Sequence, residues 1–288
     1  MNQAILEFYT AHSPFSDPGE YADLLEALPD DIPGLCQAVR GLVVHYRAEG
    51  IRFPPEREAE IDTRWAKAIL AKIASRDPAP LTVARAKEER FVGCCRDFSL
   101  LFVAALRQKG VPARSRVGFA TYFLPDFNPD HVVSEYWNGE RWVRVDPELE
   151  PGFPFNPHDM PPGQFLSASE VWRWFRRGEL EHPERFGVAP NLPYRGDWFI
   201  RNYVIHELAH LNKQELLLWD WWGAMSSDLT GDLKLIDQAA DRIVQGDAAW
   251  EGIRELFRHP LLGVPSQVRC YSPTGLAAEV RLSRSELP

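Results

Sequence analysis

The sequence predicts an α+β protein, in which helices pack against an antiparallel sheet. The first third of the chain carries apolar residues at helical spacing. An apolar helix over residues 97–109 follows, and a strand over 115–123 and a β-hairpin over 131–146 come after it. Helices first and neighbouring strands afterwards favour a helix-covered antiparallel sheet over alternating parallel units.

The N-terminal helices are predicted from turn residues and apolar spacing. One helix begins after Asp17-Pro18-Gly19, and Pro33 opens a second. Residues 58–74 are predicted to form a charged, amphipathic helix. A proline-rich loop at 78–80 separates this helix from the central one. We therefore expect a helical layer ahead of the sheet.

The helix over residues 97–109 is predicted to carry a reactive thiol at its start. Cys95 lies at or near the helix N-terminus, where unpaired N–H groups and the helix dipole favour a thiolate. Thiols in such places can have pKa values of about 3.5–7.5. Gly93 permits a close backbone approach just before the helix. The alternative is that Cys94 and Cys95 are small buried apolar residues, as most free cysteines are.

The hairpin is predicted to bring a histidine and an aspartate together. Asn138-Gly139 is the strongest short-range signal for a two-residue turn. About that turn, His131 and Asp146 stand directly opposite each other, with Cβ atoms roughly 4.5–5.5 Å apart. An imidazole facing a carboxylate is the arrangement that orients a general base. With Cys95 as the nucleophile, the pattern indicates nucleophilic catalysis.

Four segments together resemble the core of the transglutaminase-like superfamily. They are Gly93-Cys94-Cys95-Arg96-Asp97-Phe98-Ser99, residues 106–114, residues 130–137, and Trp142-Val143-Arg144-Val145-Asp146-Pro147. The resemblance covers roughly residues 90–150. It implies a papain/transglutaminase-like core, in which N-terminal helices precede a catalytic helix packed on an antiparallel sheet. The rest of the chain looks closer to bacterial stand-alone members than to the animal cross-linking enzymes.

The resemblance also implies a papain-like catalytic triad. Cys95 would be the nucleophile, His131 the base and Asp146 the acid that orients the imidazole. Of the two adjacent cysteines, the family pattern favours Cys95, and Cys94 would then point into the protein. The expected function is acyl transfer to an amine, or hydrolysis of an amide, through a thioester. The expected partner is a peptide, amide or small-molecule acyl substrate, with no cofactor and no metal; the acyl donor, the acceptor and the oligomeric state stay open.

Composition argues against several other classes of function. The 288 residues carry a net charge of −9 and a pI near 5.4, which disfavours a nucleic-acid or anionic membrane surface. The N-terminal residues lack a signal-peptide pattern, and no apolar run approaches the ~18 residues that span a membrane. Four cysteines, two of them adjacent, do not suggest a disulfide framework. We expect a cytoplasmic protein with reduced thiols.

The C-terminal part is predicted to contain helices and a closing hairpin. A helix runs from residue 197 to 218, and a hairpin spans 267–282. The aromatic cluster around these elements is interpreted as packing rather than as a binding platform; its members are Trp198, Trp219, Trp221 and Trp222. We expect a catalytic domain over residues 1–185 and a C-terminal segment over 186–288, which could be integrated into the same domain.

A competing motif in the 197–218 helix predicts a zinc site. His206-Glu207-Leu208-Ala209-His210 fits the pattern in which two histidines one helical turn apart bind zinc and the glutamate acts as base. The longer zinc motif does not follow, so a distant acid would have to be the third ligand. Otherwise these histidines are expected on a surface or interdomain face. A zinc-dependent metallohydrolase is therefore the alternative function, and a non-catalytic binding protein on the same fold is the second alternative.

Overall fold

The computed structural model describes residues 2–47, 51–231, 233–275 and 277–282. Its α-helices are α1 (Gln3–Thr10), α2 (Ala22–Glu26), α3 (Ile32–Leu42), α4 (Pro55–Glu58), α5 (Ala66–Arg76), α6 (Cys95–Gln108), α7 (Ala168–Arg176), α8 (Asp197–Leu211), α9 (Leu233–Gln245) and α10 (Trp250–Phe257). Its strands are β1 (Val43–His45), β2 (Phe91–Gly93), β3 (Ala113–Ala120), β4 (Asn128–Trp137), β5 (Trp142–Val145), β6 (Phe165–Ser167), β7 (Phe186–Gly187), β8 (Asp220–Trp221), β9 (Gln267–Tyr271) and β10 (Ala277–Arg281).

An antiparallel sheet forms the centre of the fold. Strands β5, β4, β3 and β6 lie side by side with antiparallel neighbours, and β7 pairs in parallel with the start of β4. Helix α6 packs on β3 and β4, and helix α8 packs against β3. Every residue of α6 from Cys95 to Arg107 is buried, which fits its apolar sequence. The predicted α+β class, with a central helix on an antiparallel sheet, is confirmed.

The hairpin between β4 and β5 has a longer loop than the sequence predicted. Trp137 pairs with Trp142, so residues 138–141 form a four-residue loop in place of a two-residue turn. The side-chain carbonyl of Asn138 accepts hydrogen bonds from two backbone N–H groups of the loop, at 3.0 and 2.8 Å. The prediction was wrong because asparagine also stabilises wider turns in this way. The register moves by two residues, so each side chain keeps its predicted face of the sheet.

Two predicted helices are shorter in the structure. Helix α5 begins at Ala66, because the backbone of Trp65 is extended (φ −104°, ψ 134°). Helix α8 ends at Leu211, because Lys213 adopts a left-handed conformation (φ 59°) that cannot continue a helix. Helix α8 is nonetheless buried along almost its whole length. Among the described residues, no helix combines the length and the apolar character needed to cross a membrane.

The predicted closing hairpin is present. Strands β9 and β10 pair antiparallel, and β8 extends the sheet on the other side of β9. The backbone N–H of Tyr271 also donates to the carbonyl of Trp219 at 2.8 Å, which brings the hairpin beside the chain that follows α8. Side chains of α8 and α6 share one buried apolar cluster. The proposed boundary between residues 185 and 186 stays a prediction.

Candidate active site

His131 and Asp146 form a hydrogen-bonded pair at the end of the sheet. The His131 Nε2 atom lies 2.7 Å from Asp146 Oδ2, and both side chains are buried. The hydroxyl of Tyr122 donates to the same oxygen at 2.5 Å. The backbone N–H of Glu148 donates to Asp146 Oδ1 at 3.0 Å. Both carboxylate oxygens of Asp146 therefore accept hydrogen bonds, and the carboxylate in turn fixes the orientation of the His131 imidazole.

The longer loop explains how these two side chains meet. The observed register pairs Ser134 with Val145, the last residue of β5, and its continuation by one step would place Asp146 across from Val133. His131 is thus a diagonal neighbour of Asp146 on the same face, not its direct partner as predicted. Diagonal neighbours are about 7–8 Å apart, which long side chains can bridge. The two side chains still meet as predicted, because a register shift of two residues leaves both of them on the same face of the sheet.

Cys95 is the first residue of α6, as the sequence predicted. The helix start is fixed by Asp97, whose Oδ2 accepts from the backbone N–H of Cys94 at 2.9 Å. The adjacent Arg96 is almost completely buried, donates to Asp97 Oδ1 at 2.8 Å and reaches the Glu215 carbonyl through Nε at 2.9 Å. These contacts give Arg96 and Asp97 structural roles that hold the helix end in place.

A hydrogen bond ties the thiol helix to the histidine strand. The hydroxyl of Ser99, one helical turn after Cys95, donates to the carbonyl of Val132 at 3.0 Å. Val132 directly follows His131 in β4. Both groups are buried, so the contact fixes the offset between α6 and β4 close to Cys95 and His131.

The backbone at Gly93 approaches its neighbours closely, as predicted. A Cβ atom there would lie 2.8 Å from Asp97 Oδ2 and 3.1 Å from Val43 Cγ1. We expect Gly93→Ala to displace the Asp97 carboxylate and to lower the free energy of unfolding by about 1–3 kcal/mol. Chemical denaturation measures this loss. The matched control is Gly252→Ala in α10, where the new methyl meets only the flexible Arg242 side chain; equal losses in both variants would contradict the close approach.

Cys95 and His131 line one cavity of about 940 Å³. Its walls include eight phenylalanine, tyrosine and tryptophan side chains and come from distant parts of the chain. Besides Cys95 and His131, the lining includes Tyr46, Arg47, Cys94, Phe123, Leu124, Asp130, Glu148, Tyr194, Tyr203, Trp219, Trp221 and Tyr271. A cavity of this size accommodates a small organic molecule or a few residues of a peptide.

The electrostatics of the site differ from the sequence expectation. Burial lowers the pKa of His131, but the charge and hydrogen bond of Asp146 outweigh it, so the pKa lies above its usual value. The contact with the Cys94 sulfur, together with burial, raises the pKa of the Cys95 thiol well above its usual value. The expected low pKa of Cys95 was therefore wrong, because burial and the neighbouring sulfur disfavour its charge.

Several cavity residues were not predicted from the sequence. Cys94 lines the cavity beside Cys95, whereas we expected it to point into the protein. Trp219 and Trp221 also line the cavity, although they were interpreted as packing residues; Trp222 does pack in the core. Outside the cavity wall, Tyr122, which donates a hydrogen bond to Asp146, was also not predicted. No local pattern marks such residues, since loops and long-range strand pairing bring them to the site.

The zinc motif lies on a buried part of α8 and not on a surface face. Its glutamate, Glu207, pairs with Arg116 at 2.6 Å and accepts from the Ser169 hydroxyl at 2.7 Å. Both ring nitrogens of His210 have partners, the Ser115 hydroxyl at 2.8 Å and a backbone carbonyl at 3.2 Å. The described residues contain no group of three or more side chains placed to hold a metal ion. Hydrogen bonds and an ion pair therefore hold Glu207 and His210 in the core, whereas His206 packs against Tyr203 and Trp222 and its ring nitrogens have no hydrogen-bond partner among the described residues.

These features agree with the resemblance to the transglutaminase-like superfamily. Its family model matches residues 57–147, which confirms the resemblance for that part of the chain. Cys95, His131 and Asp146 all lie inside the matched segment. A crystal structure from Cytophaga hutchinsonii, described as a "putative cysteine protease", shares 15% identity, covering 59% of this chain and 50% of that chain, with a TM-score of 0.36. Among curated proteins, no relative matches the chain.

Proposed function

We propose that the protein is a thiol enzyme that transfers an acyl group from an amide or ester to water or an amine. The observation that carries the proposal is the shared cavity, in which the Cys95 thiol and the Asp146-bound imidazole of His131 face the same space. In the proposed reaction the sulfur attacks the carbonyl carbon and expels the amine or alcohol, which leaves a thioester. Water or an amine then attacks the thioester and releases the thiol.

His131 moves the proton in both steps of the proposed reaction. Its Nε2 is engaged by Asp146, so Nδ1 is the nitrogen that accepts the thiol proton and passes it to the leaving group. The oxyanion that forms on the carbonyl would be met by N–H groups of the first turn of α6. Asp146 holds the imidazole and stabilises its charged form.

The raised pKa values of the Cys95 thiol and the His131 imidazole predict how the acylation rate depends on pH. The thiol enters the reaction protonated, and only neutral His131 can accept its proton. Because the pKa of His131 is raised, we expect the acylation rate to increase as pH rises through a value above the ordinary ~6.5. A preformed thiolate–imidazolium pair would instead be fully reactive well below pH 6, and that profile would contradict the general-base mechanism.

The activated ester 4-nitrophenyl acetate tests the proposal without knowledge of the natural substrate. Release of 4-nitrophenol between pH 5 and 9.5 gives the rate profile, and intact-protein mass spectrometry detects the acetyl-enzyme. Peptide mapping should place the acetyl group on Cys95. The thiols of Cys36 and Cys270 should not compete, because neither lines the cavity with the base His131, and burial raises their pKa values to about 12 and about 11. A protein that forms no acetyl adduct on Cys95 would overturn the proposed function.

A further inference from the structure

Glu148 is a cavity residue whose carboxylate makes no hydrogen bond with the side chains or backbone of the described residues. It lies two residues after Asp146 and lines the cavity together with Cys95 and His131. Its Oε2 atom is closed off from solvent and meets no hydrogen-bond donor among the described residues. An unpaired polar group of this kind is costly to bury, so most such groups have a partner. Because Oε2 is closed off, a group supplied from outside the chain would have to meet the carboxylate from the cavity side, through its other oxygen.

The charges around Glu148 favour a cation as that partner. The other acid of the cavity wall, Asp130, already accepts a hydrogen bond from the Tyr203 hydroxyl. The cation of the wall, Arg47, is exposed and stacks on the ring of Tyr46, 5.0 Å from its centroid. Burial raises the pKa of Glu148 to about 7, the negative charges of Asp146 and Asp97 add to the rise, and the charge of His131 opposes it. A nearby ammonium group would stabilise the ionised form.

The rim of the cavity is apolar and aromatic. Four large hydrophobic side chains at the cavity are also exposed to solvent: Phe123 (38%), Leu124 (41%), Tyr194 (50%) and Tyr271 (38%). Exposed apolar groups that gather at one opening mark a contact surface rather than random exposure. Aromatic faces bind flat apolar groups and also attract cations.

We infer that Glu148 is a specificity-determining residue, which binds a cationic group of a substrate whose flat apolar part rests on the aromatic rim. The inference rests on the proposed function, because the reacting carbonyl must lie between this group and Cys95. The substrate class is therefore an amine-bearing molecule with an apolar, aromatic-sized body. Neutral and anionic molecules with the same body should bind less well.

Protection of Cys95 against iodoacetamide tests the inference. The probes are 2-phenylethylamine, 2-phenylethanol and phenylacetate, which share one ring and differ in charge. At pH 8, where Glu148 is ionised and the amine is still protonated, we expect 2-phenylethylamine to halve the alkylation rate at a concentration about tenfold lower than 2-phenylethanol. Phenylacetate should protect least.

Glu148→Gln should remove the preference for the amine while leaving protection by 2-phenylethanol unchanged. Glu150→Gln, an identical change at an exposed position two residues away, should keep the preference. Equal protection by all three probes, or no protection by any of them, would overturn the inference. The inference would also be overturned if Glu148→Gln changed the alkylation rate only by changing the pKa of His131. In that case the pH profile of alkylation would shift by the same amount with each of the three probes. Failure of iodoacetamide to label Cys95 in the absence of probes would instead count against the proposed function.

Discussion

Cys95→Ala is expected to abolish acyl-enzyme formation with 4-nitrophenyl acetate. The variant lacks the sulfur that forms the thioester, so the rate of 4-nitrophenol release should fall by at least about 10³-fold, to the background of the buffer. Mass spectrometry should detect no acetyl adduct. Apart from its contact with the Cys94 sulfur, the side chain only packs at the helix start, so thermal unfolding should change little.

Cys94→Ala is the matched control, because this cysteine lines the same cavity and contacts Cys95. It should retain the acetyl adduct on Cys95. Removal of the neighbouring sulfur should also lower the Cys95 pKa, since that contact is the first cause of its rise. Acylation below pH 8 should then be faster in Cys94→Ala than in the parent protein. If Cys95→Ala keeps the adduct and Cys94→Ala loses it, the nucleophile has been assigned to the wrong cysteine.

Asp146→Asn is expected to lower the acylation rate on the order of 10²–10⁴-fold while the protein stays folded. The amide can occupy the same space, but it does not stabilise an imidazolium and favours the other tautomer. Because Asp146 raises the pKa of His131, its loss should move the rising part of the pH profile to lower pH. A residue that acts through His131 should therefore have two effects when it is replaced. The maximal acylation rate should be lower, and the rate should begin to increase at a lower pH.

Asp146→Asn is also expected to change the stability of the fold in a pH-dependent way. The pKa of His131 is higher in the folded than in the unfolded state, so the pair with Asp146 stabilises the fold fully below the unfolded value and loses this contribution as pH rises through the folded one. Asp146→Asn should therefore cost about 1–3 kcal/mol near pH 6 and less near pH 9. Urea denaturation at both pH values measures the difference. Tyr122→Phe is the control, since it removes a hydrogen bond to Asp146 but leaves the carboxylate in place. An Asp146→Asn loss that is independent of pH would contradict the ion pair.

Local sequence signals were sufficient for the elements that carry the candidate site. The apolar run after Cys95 predicted a buried helix. Gly93, which precedes this run, indicated that the helix starts close to Cys95. Alternation in the hairpin predicted that His131 and Asp146 share a face. That prediction survived a wrong turn length, because the side-chain period of a strand is two and the register moved by two residues.

The surroundings of the thiol could not be predicted in the same way. The hydrogen bond from Ser99 to Val132, the partnerless Glu148 and the walls formed by Tyr46, Trp219 and Tyr271 join residues far apart in the chain. Their positions depend on how helices and strands pack, which no local pattern encodes. The pKa of Cys95 illustrates the consequence: a helix N-terminus by itself favours the thiolate, whereas burial beside a second sulfur reverses the direction.

The sequence by itself determined the α+β class, the helix that begins at Cys95 and the shared face of His131 and Asp146, because each depends on the spacing of residues close in the chain. The tertiary structure decided the shape and charge of the cavity, the state of the thiol and the burial of the histidine motif in α8. Those properties depend on desolvation and on contacts between distant segments, and both arise only when the chain is packed.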